Sequence, residues 1–261
     1  MPHVQADGAK INYRFDGDEK KPVLVLSNSL GTNYTMWDDQ IPAFTQHFRV
    51  LRYDQRGHGG SDVTPGPYSI ERLGKDVVAL LDGLKLDRVS FLGLSMGGMT
   101  GMWLGYSAGR RFDRLILSNT SGHTTMPDAW TQRIAAVKKD GMKALAASLP
   151  ERWFTEGFRK SNPQAVQRIC ALAEKTDAAG YIACCEAIRE MNQHDSLSRI
   201  GNPTMVIAGT SDPATPPAAG KAVAERISGC KYVELPAAHL ANVELGERYT
   251  KVVLDFLKGG G

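Results

Sequence analysis

Cysteine is scarce, with four in 261 residues: Cys170, Cys184, Cys185 and Cys230, none in a C-x-x-C spacing. A disulfide framework, a zinc ribbon and a dithiol redox motif are therefore not expected, and the thiols read as reduced and partly buried in a cytoplasmic protein. Long apolar runs are missing too. No stretch approaches the roughly 18 residues a membrane span needs, and the polar segment from Met1 to Asp18 has no apolar signal region. A soluble chain with no membrane partner is expected. Excess charge is also absent, since 31 Lys+Arg against 28 Asp+Glu leaves only +3, with the basic residues scattered. That argues against a polyanion-binding surface, so nucleic acid is not an expected partner.

What remains is ordinary globular composition, which excludes disorder, collagen-like repeats and coiled coils. The length suits one large domain, or a core domain carrying a smaller insertion, because single cores stop growing at roughly 250–300 residues. Short, largely β-branched apolar runs recur at Val23–Leu26, Val50–Tyr53, Val89–Leu92, Leu115–Leu117 and Met205–Ala208. They are too short for helices and read as strands buried on both faces. Ile70, Leu73, Val77, Leu80, Leu81 and Leu84 recur at helical spacing between the second and third runs. This alternation is the βαβ rhythm of a mostly parallel sheet covered by helices, an α/β fold. His3–Ala6 and Lys10–Phe15, split by Asp7-Gly8, predict an antiparallel hairpin at the sheet edge.

The rhythm breaks between about Thr124 and Asp195. Ile134-Val137, Met142-Leu145-Leu149, Val166-Ile169-Leu172 and Tyr181-Ile182-Cys185-Ile188 keep helical spacing with no strand between them. A helical cap over 124–195, inserted in a core formed by 1–123 and 196–261, is the simplest organisation. The sheet pattern resumes at Pro203 and ends with a strand near Lys231–Leu235 and a helix from about Leu245 to Leu257. Gly259–Gly261 reads as a frayed tail.

Gly93-Leu94-Ser95-Met96-Gly97-Gly98 follows one buried strand directly and opens an apolar-periodic segment, Met102–Tyr106. Strand, G-x-S-x-G and helix together predict a tight, strained turn that exposes Ser95 as a nucleophile at the positive end of the next helix. A serine needs a base, and the base an orienting acid. Of six histidines only His239 follows the last predicted strand. Asp212, just after the Met205–Ala208 strand, keeps the chain order Ser, Asp, His, while the loop after the preceding strand offers Asn119 and no carboxylate. The oxyanion requires two main-chain donors, one after the serine and one in the loop after an early strand, which selects Met96 and Leu30. Because those donors are backbone groups, the neighbouring side chains of Asn28 and Ser29 become candidates for the pocket wall. Loop capping accounts for them equally well.

The Ser95 elbow, Asp54-Gln55-Arg56-Gly57-His58-Gly59-Gly60-Ser61, the Asp212 loop and His239 together resemble the α/β-hydrolase fold over nearly the whole chain. Leu26-Ser27-Asn28-Ser29-Leu30-Gly31-Thr32, Met36-Trp37-Asp38 and Trp130-Thr131-Gln132-Arg133 add a narrower resemblance, to the bacterial 3-oxoadipate enol-lactonases of the protocatechuate branch. Many α/β-hydrolases carry His-Gly where this chain has Asn28-Ser29, and the departure matches the enol-lactonase pattern. The resemblance implies an eight-stranded sheet and hydrolysis of 3-oxoadipate enol-lactone to 3-oxoadipate, with no metal and no cofactor. A small anionic lactone would be the only partner, and the oligomeric state is left open. The side-arm carboxylate of such a substrate calls for a cation. Arg133 lies three residues after Trp130, so on a helix the two share a face and can close over acid and ring. Trp153 is a further pocket candidate. Other carboxylesterases and carbon–carbon bond hydrolases share this fold, and a ligand receptor that retains the triad is a more distant alternative.

Overall fold

A computed structural model describes residues 2–259, so the expectation for Gly260 and Gly261 falls outside the described residues. The strands are β1 (His3–Ala6), β2 (Ala9–Asp16), β3 (Val23–Ser27), β4 (Arg49–Tyr53), β5 (Val89–Leu94), β6 (Phe112–Ser118), β7 (Thr204–Gly209) and β8 (Lys231–Leu235). They form one eight-stranded sheet in the order β1-β2-β4-β3-β5-β6-β7-β8. β2 runs antiparallel to both β1 and β4, and every other pairing is parallel. The hairpin sits at the edge as expected, and its turn residues Asp7 and Gly8 both take positive φ, at 31° and 77°, as a tight two-residue connection with native twist requires.

The helices are α1 (Ile41–Phe44), α2 (Ile70–Gly83), α3 (Met96–Ala108), α4 (Pro127–Ser148), α5 (Pro150–Trp153), α6 (Glu156–Ser161), α7 (Pro163–Glu174), α8 (Ala178–Arg189), α9 (Pro217–Ala224) and α10 (Ala241–Leu257). Successive strand residues point to opposite faces, and this alternation splits the interior into two layers. Leu24, Leu26, Leu92, Leu94 and Ile207 join Tyr249 and Val253 of α10 on one face. Val25, Phe91, Leu115 and Val206 join Val77 and Leu81 of α2 and Val223 of α9 on the other. Each fully buried aliphatic side chain adds roughly 1.5–3 kcal/mol of transfer free energy, so both faces of the sheet must be covered.

The helix expected from about Leu245 begins earlier, at Ala241, and kinks at Gly246, where φ is 41°. Its first turn lies immediately after His239, and Glu244 in it accepts from Ala238 N–H at 3.0 Å. α4 is likewise broken, at Gly141. All four cysteines are free thiols; Cys184 and Cys185 are buried.

α4 to α8 lie between β6 and β7 with no strand among them. The ends of this segment are zipped together by a short two-stranded neck. His123 pairs antiparallel with Asn192, while Gln193 N–H donates to Gly122 O at 2.7 Å and Thr124 N–H to Met191 O at 3.2 Å. The segment thus enters and leaves the sheet layer at one point, above the carboxyl ends of the strands.

Candidate active site

Ser95 occupies the turn between β5 and α3 with φ 59° and ψ −117°, a left-handed conformation that costs on the order of 1–3 kcal/mol for a residue with a Cβ. The surroundings impose it. A Cβ on Gly93 would stand 2.1 Å from the Gly97 carbonyl oxygen, and one on Gly97 would stand 2.3 Å from the Ser27 carbonyl oxygen. Both flanking positions must therefore be glycine. Ser95 N–H donates to Ser118 O at 2.9 Å, Gly97 N–H to Asn28 O at 3.0 Å, and the Thr120 hydroxyl to Ser95 O at 2.9 Å. The strain is as the motif predicts, but the exposure is not: Ser95 is only 7% accessible, because it lines a cavity roofed by residues of α4 and α5.

His239 Nε2 lies 2.9 Å from Ser95 Oγ, and His239 Nδ1 lies 2.8 Å from Asp212 Oδ2. The three residues come from turns after β5, β7 and β8, so the parallel sheet gathers them from widely separated positions at its carboxyl edge. Asp212 is held by further donors. Ala214 N–H and Thr215 N–H donate to Oδ1 at 2.8 and 3.0 Å, and the Thr215 hydroxyl and Asn119 Nδ2 donate to Oδ2 at 2.7 and 3.1 Å. Burial pushes this carboxyl up, but the neighbouring His239 and the Thr215 hydrogen bonds outweigh it, and the net pKa is lowered. Asp212 is thereby kept as an acceptor.

Leu30 is brought beside the serine, and both line the cavity. Among the described residues, neither the Leu30 nor the Met96 N–H donates to a protein acceptor. The Leu30 loop is braced on both sides, by Ser29 N–H donating to Met36 Sδ at 3.4 Å and Gly31 N–H donating to His58 Nε2 at 2.9 Å. His58 is the brace on the second side. Burial pushes its pKa down to about 4, so its ring is neutral at pH 7 with Nε2 free to accept.

The cavity measures about 460 Å³. Ser29, Trp130, Arg133 and Trp153 line it, as expected. Asn28 does not, which corrects its reading as a wall residue. Its amide is consumed inside the core, with Nδ2 donating to Tyr53 O at 2.9 Å and Oδ1 accepting from Trp37 Nε1 at 3.0 Å. Arg133 and Trp130 do share a helix face, with the guanidinium carbon 4.9 Å from the ring centre. Arg133 Nη1 also lies 3.5 Å from the hydroxyl of Tyr181, a fully buried residue of α8. Trp153 ties the roof to the site, since its carbonyl accepts from Leu240 N–H at 3.1 Å, next to His239.

Four residues take roles here that the sequence alone does not assign. Thr215 was accessible, because Asp212-Pro213-Ala214-Thr215 is an Asx-type turn in which a carboxylate takes the two following amides. Asn119, Tyr181 and Arg152, which also lines the cavity, carry no local signal, since their partners are remote in sequence.

Residues 22–244 match the family model described as the alpha/beta hydrolase fold. Two curated relatives from Acinetobacter baylyi are similar throughout. 3-Oxoadipate enol-lactonase 2 is 39% identical over 98% of this chain and 96% of its own, and 3-oxoadipate enol-lactonase 1 is 35% identical over 96% and 94%. Among solved structures, the enol-lactonase from Burkholderia xenovorans LB400 superposes with a TM-score of 0.96 at 42% identity, covering 98% of this chain and all of that one. The chain belongs to the α/β-hydrolase family and, within it, to the 3-oxoadipate enol-lactonases, a group of carboxylic ester hydrolases.

Proposed function

We propose that this protein hydrolyses 3-oxoadipate enol-lactone to 3-oxoadipate, a step of aromatic-acid catabolism in the β-ketoadipate pathway. The reading rests above all on the unbroken hydrogen-bond chain from Ser95 Oγ through His239 to Asp212, together with the family membership. Ser95 Oγ attacks the lactone carbonyl while His239 Nε2 takes its proton. The oxyanion that forms accepts from the Leu30 and Met96 N–H groups. Collapse breaks the ring carbon–oxygen bond, and His239 returns the proton to the departing enol oxygen, a better leaving group than an alkoxide. The enol then ketonises. Water that has given a proton to His239 attacks the acyl-Ser95, and the product acid leaves with Ser95 reprotonated. Asp212 holds the histidine tautomer and stabilises the imidazolium without taking the proton.

In this reading residues 124–195 form a cap on the core of 1–123 and 196–261, and Arg133 receives the side-arm carboxylate while Trp130, Ser29 and Trp153 shape the ring pocket. The substrate is a small anionic lactone, and the protein acts in the cytoplasm. The test is ultraviolet-monitored loss of freshly generated enol-lactone by wild type and Ser95→Ala. Wild type should consume it rapidly, and the variant should fall by at least about 10⁴-fold while keeping its near-ultraviolet dichroism. Inertness toward the lactone with turnover of aryl esters would retain the triad mechanism and reject the substrate.

A further inference from the structure

The charged lining of the cavity is one-sided. Two arginines, Arg133 of α4 and Arg152 of α5, face it, and no aspartate or glutamate side chain does so among the described residues. The carboxylate of the triad, Asp212, is committed to His239, Asn119 and Thr215. Arg152 also forms no ion pair or side-chain hydrogen bond with any described residue, although most arginines of this chain are paired with a carboxylate or a carbonyl. Arg133 has only the 3.5 Å approach to the Tyr181 hydroxyl and the Trp130 face. The two guanidinium groups feel each other: burial and the charge of Arg133 hold Arg152 below the ordinary arginine range. Arg152 is exposed to solvent and also feels the Asp212 carboxylate, so the repulsion between the two guanidinium groups is tempered, and an anion entering the cavity between them relieves what is left.

We propose that Arg152 is a second anion anchor, forming with Arg133 a two-arginine clamp that takes one carboxylate on the arm of an ester or lactone bound at Ser95. The clamp deepens the function proposed above and rests on it for the reaction, but its ligand chemistry can be measured without catalysis. A guanidinium offers paired N–H donors to a carboxylate, and two of them from separate helices fix both the position and the direction of the arm relative to the nucleophile. Arg152 stands next to Trp153, whose carbonyl is bonded to Leu240 beside His239. An occupied clamp would therefore hold the arm in register with the loop that carries the base. Neutral esters lack the group that makes this contact, so the clamp is a specificity device rather than part of the bond-breaking machinery.

Calorimetric titration of the full chain with three isosteres tests it: adipamic acid with one carboxylate, neutral adipamide, and adipate with two. Adipamic acid should bind at least about tenfold more tightly than adipamide, and the ratio should shrink between 50 and 500 mM salt. Arg152→Gln should cut that ratio severalfold, and Arg152→Lys should recover part of it, because each ratio is taken on one variant and so cancels general damage. Equal affinity of wild type for the acid and the amide would overturn the proposal, as would an unchanged ratio in Arg152→Gln. If the lactone is not turned over but the acid is still preferred, the reaction assignment fails and the clamp stands.

Discussion

Asn119 Nδ2 donates to Asp212 Oδ2 and to the Ala238 carbonyl, each at 3.1 Å, from a backbone held at φ 46°. One amide thus joins the ends of β6, β7 and β8, and it does so behind the acid rather than in the cavity. Ser118 Oγ in turn donates to Asn119 Oδ1 at 2.9 Å, so the amide orientation is fixed from both ends.

Replacing Asn119 with alanine should lower kcat about tenfold to a hundredfold with little change in KM, because the residue positions Asp212 and does not touch the cavity. Asp212→Asn, which leaves His239 in the wrong tautomer, should cost about 10⁴-fold. Steady-state kinetics separates the two, and a rise in KM without loss of kcat for Asn119→Ala would contradict a positioning role.

Glycine substitutions should divide sharply. Gly97→Ala sets a Cβ 2.3 Å from a main-chain oxygen that cannot retreat, and should abolish activity and lower Tm or prevent folding. Gly157→Ala, on an exposed turn of α6 with nothing within 4 Å of the added carbon, should be neutral or stabilise by up to about 1 kcal/mol. Thermal melts and activity of the soluble fraction provide the comparison.

Stability should fall on mild acidification partly through His58. The imidazole pKa is lowered from 6.5 to about 4 in the folded protein, so between those values the unfolded chain binds the proton and the folded one does not. Stability from this group is complete above about pH 6.5 and is lost as pH falls toward 4, by up to about 3 kcal/mol. Urea unfolding of wild type and His58→Gln at pH 7 and pH 4.5 should show a shallower dependence in the variant. Parallel slopes would remove His58 as the cause.

Arg56 and Asp76 form a fully buried bidentate pair, with Nε to Oδ2 at 2.8 Å and Nη2 to Oδ1 at 2.5 Å. Arg56 also donates to Ala6 O at 3.0 Å, tying the turn before His58 to α2 and to the edge hairpin. Asp76→Asn should cost about 3–5 kcal/mol by leaving a buried cation uncompensated, whereas the double change Arg56→Met/Asp76→Leu should cost less. Denaturant midpoints decide it.

The amino-acid sequence by itself determined the elements and their class. β5 and β7 are buried along their whole length, and a strand covered on both faces writes itself as a continuous apolar run. The elbow was equally legible, since the clash of a Cβ at Gly93 or Gly97 is with main chain only a few residues away or on the adjacent strand, and only glycine fits. Triad order followed from the rule that parallel strands deliver their carboxyl ends to one edge. Tertiary structure alone decided what lies between distant segments. Asn119 is 93 residues from the carboxylate it braces, and its local sequence shows nothing but a polar loop. Asn28 reads the same as Ser29 in one dimension, yet one is spent on Tyr53 and Trp37 while the other faces the cavity. The break at Gly246 and the meeting of Arg133 and Arg152 at one cavity belong to the same class. Local patterns record burial and backbone strain, whereas a site's polarity is set by which remote side chains arrive and which of them find no partner.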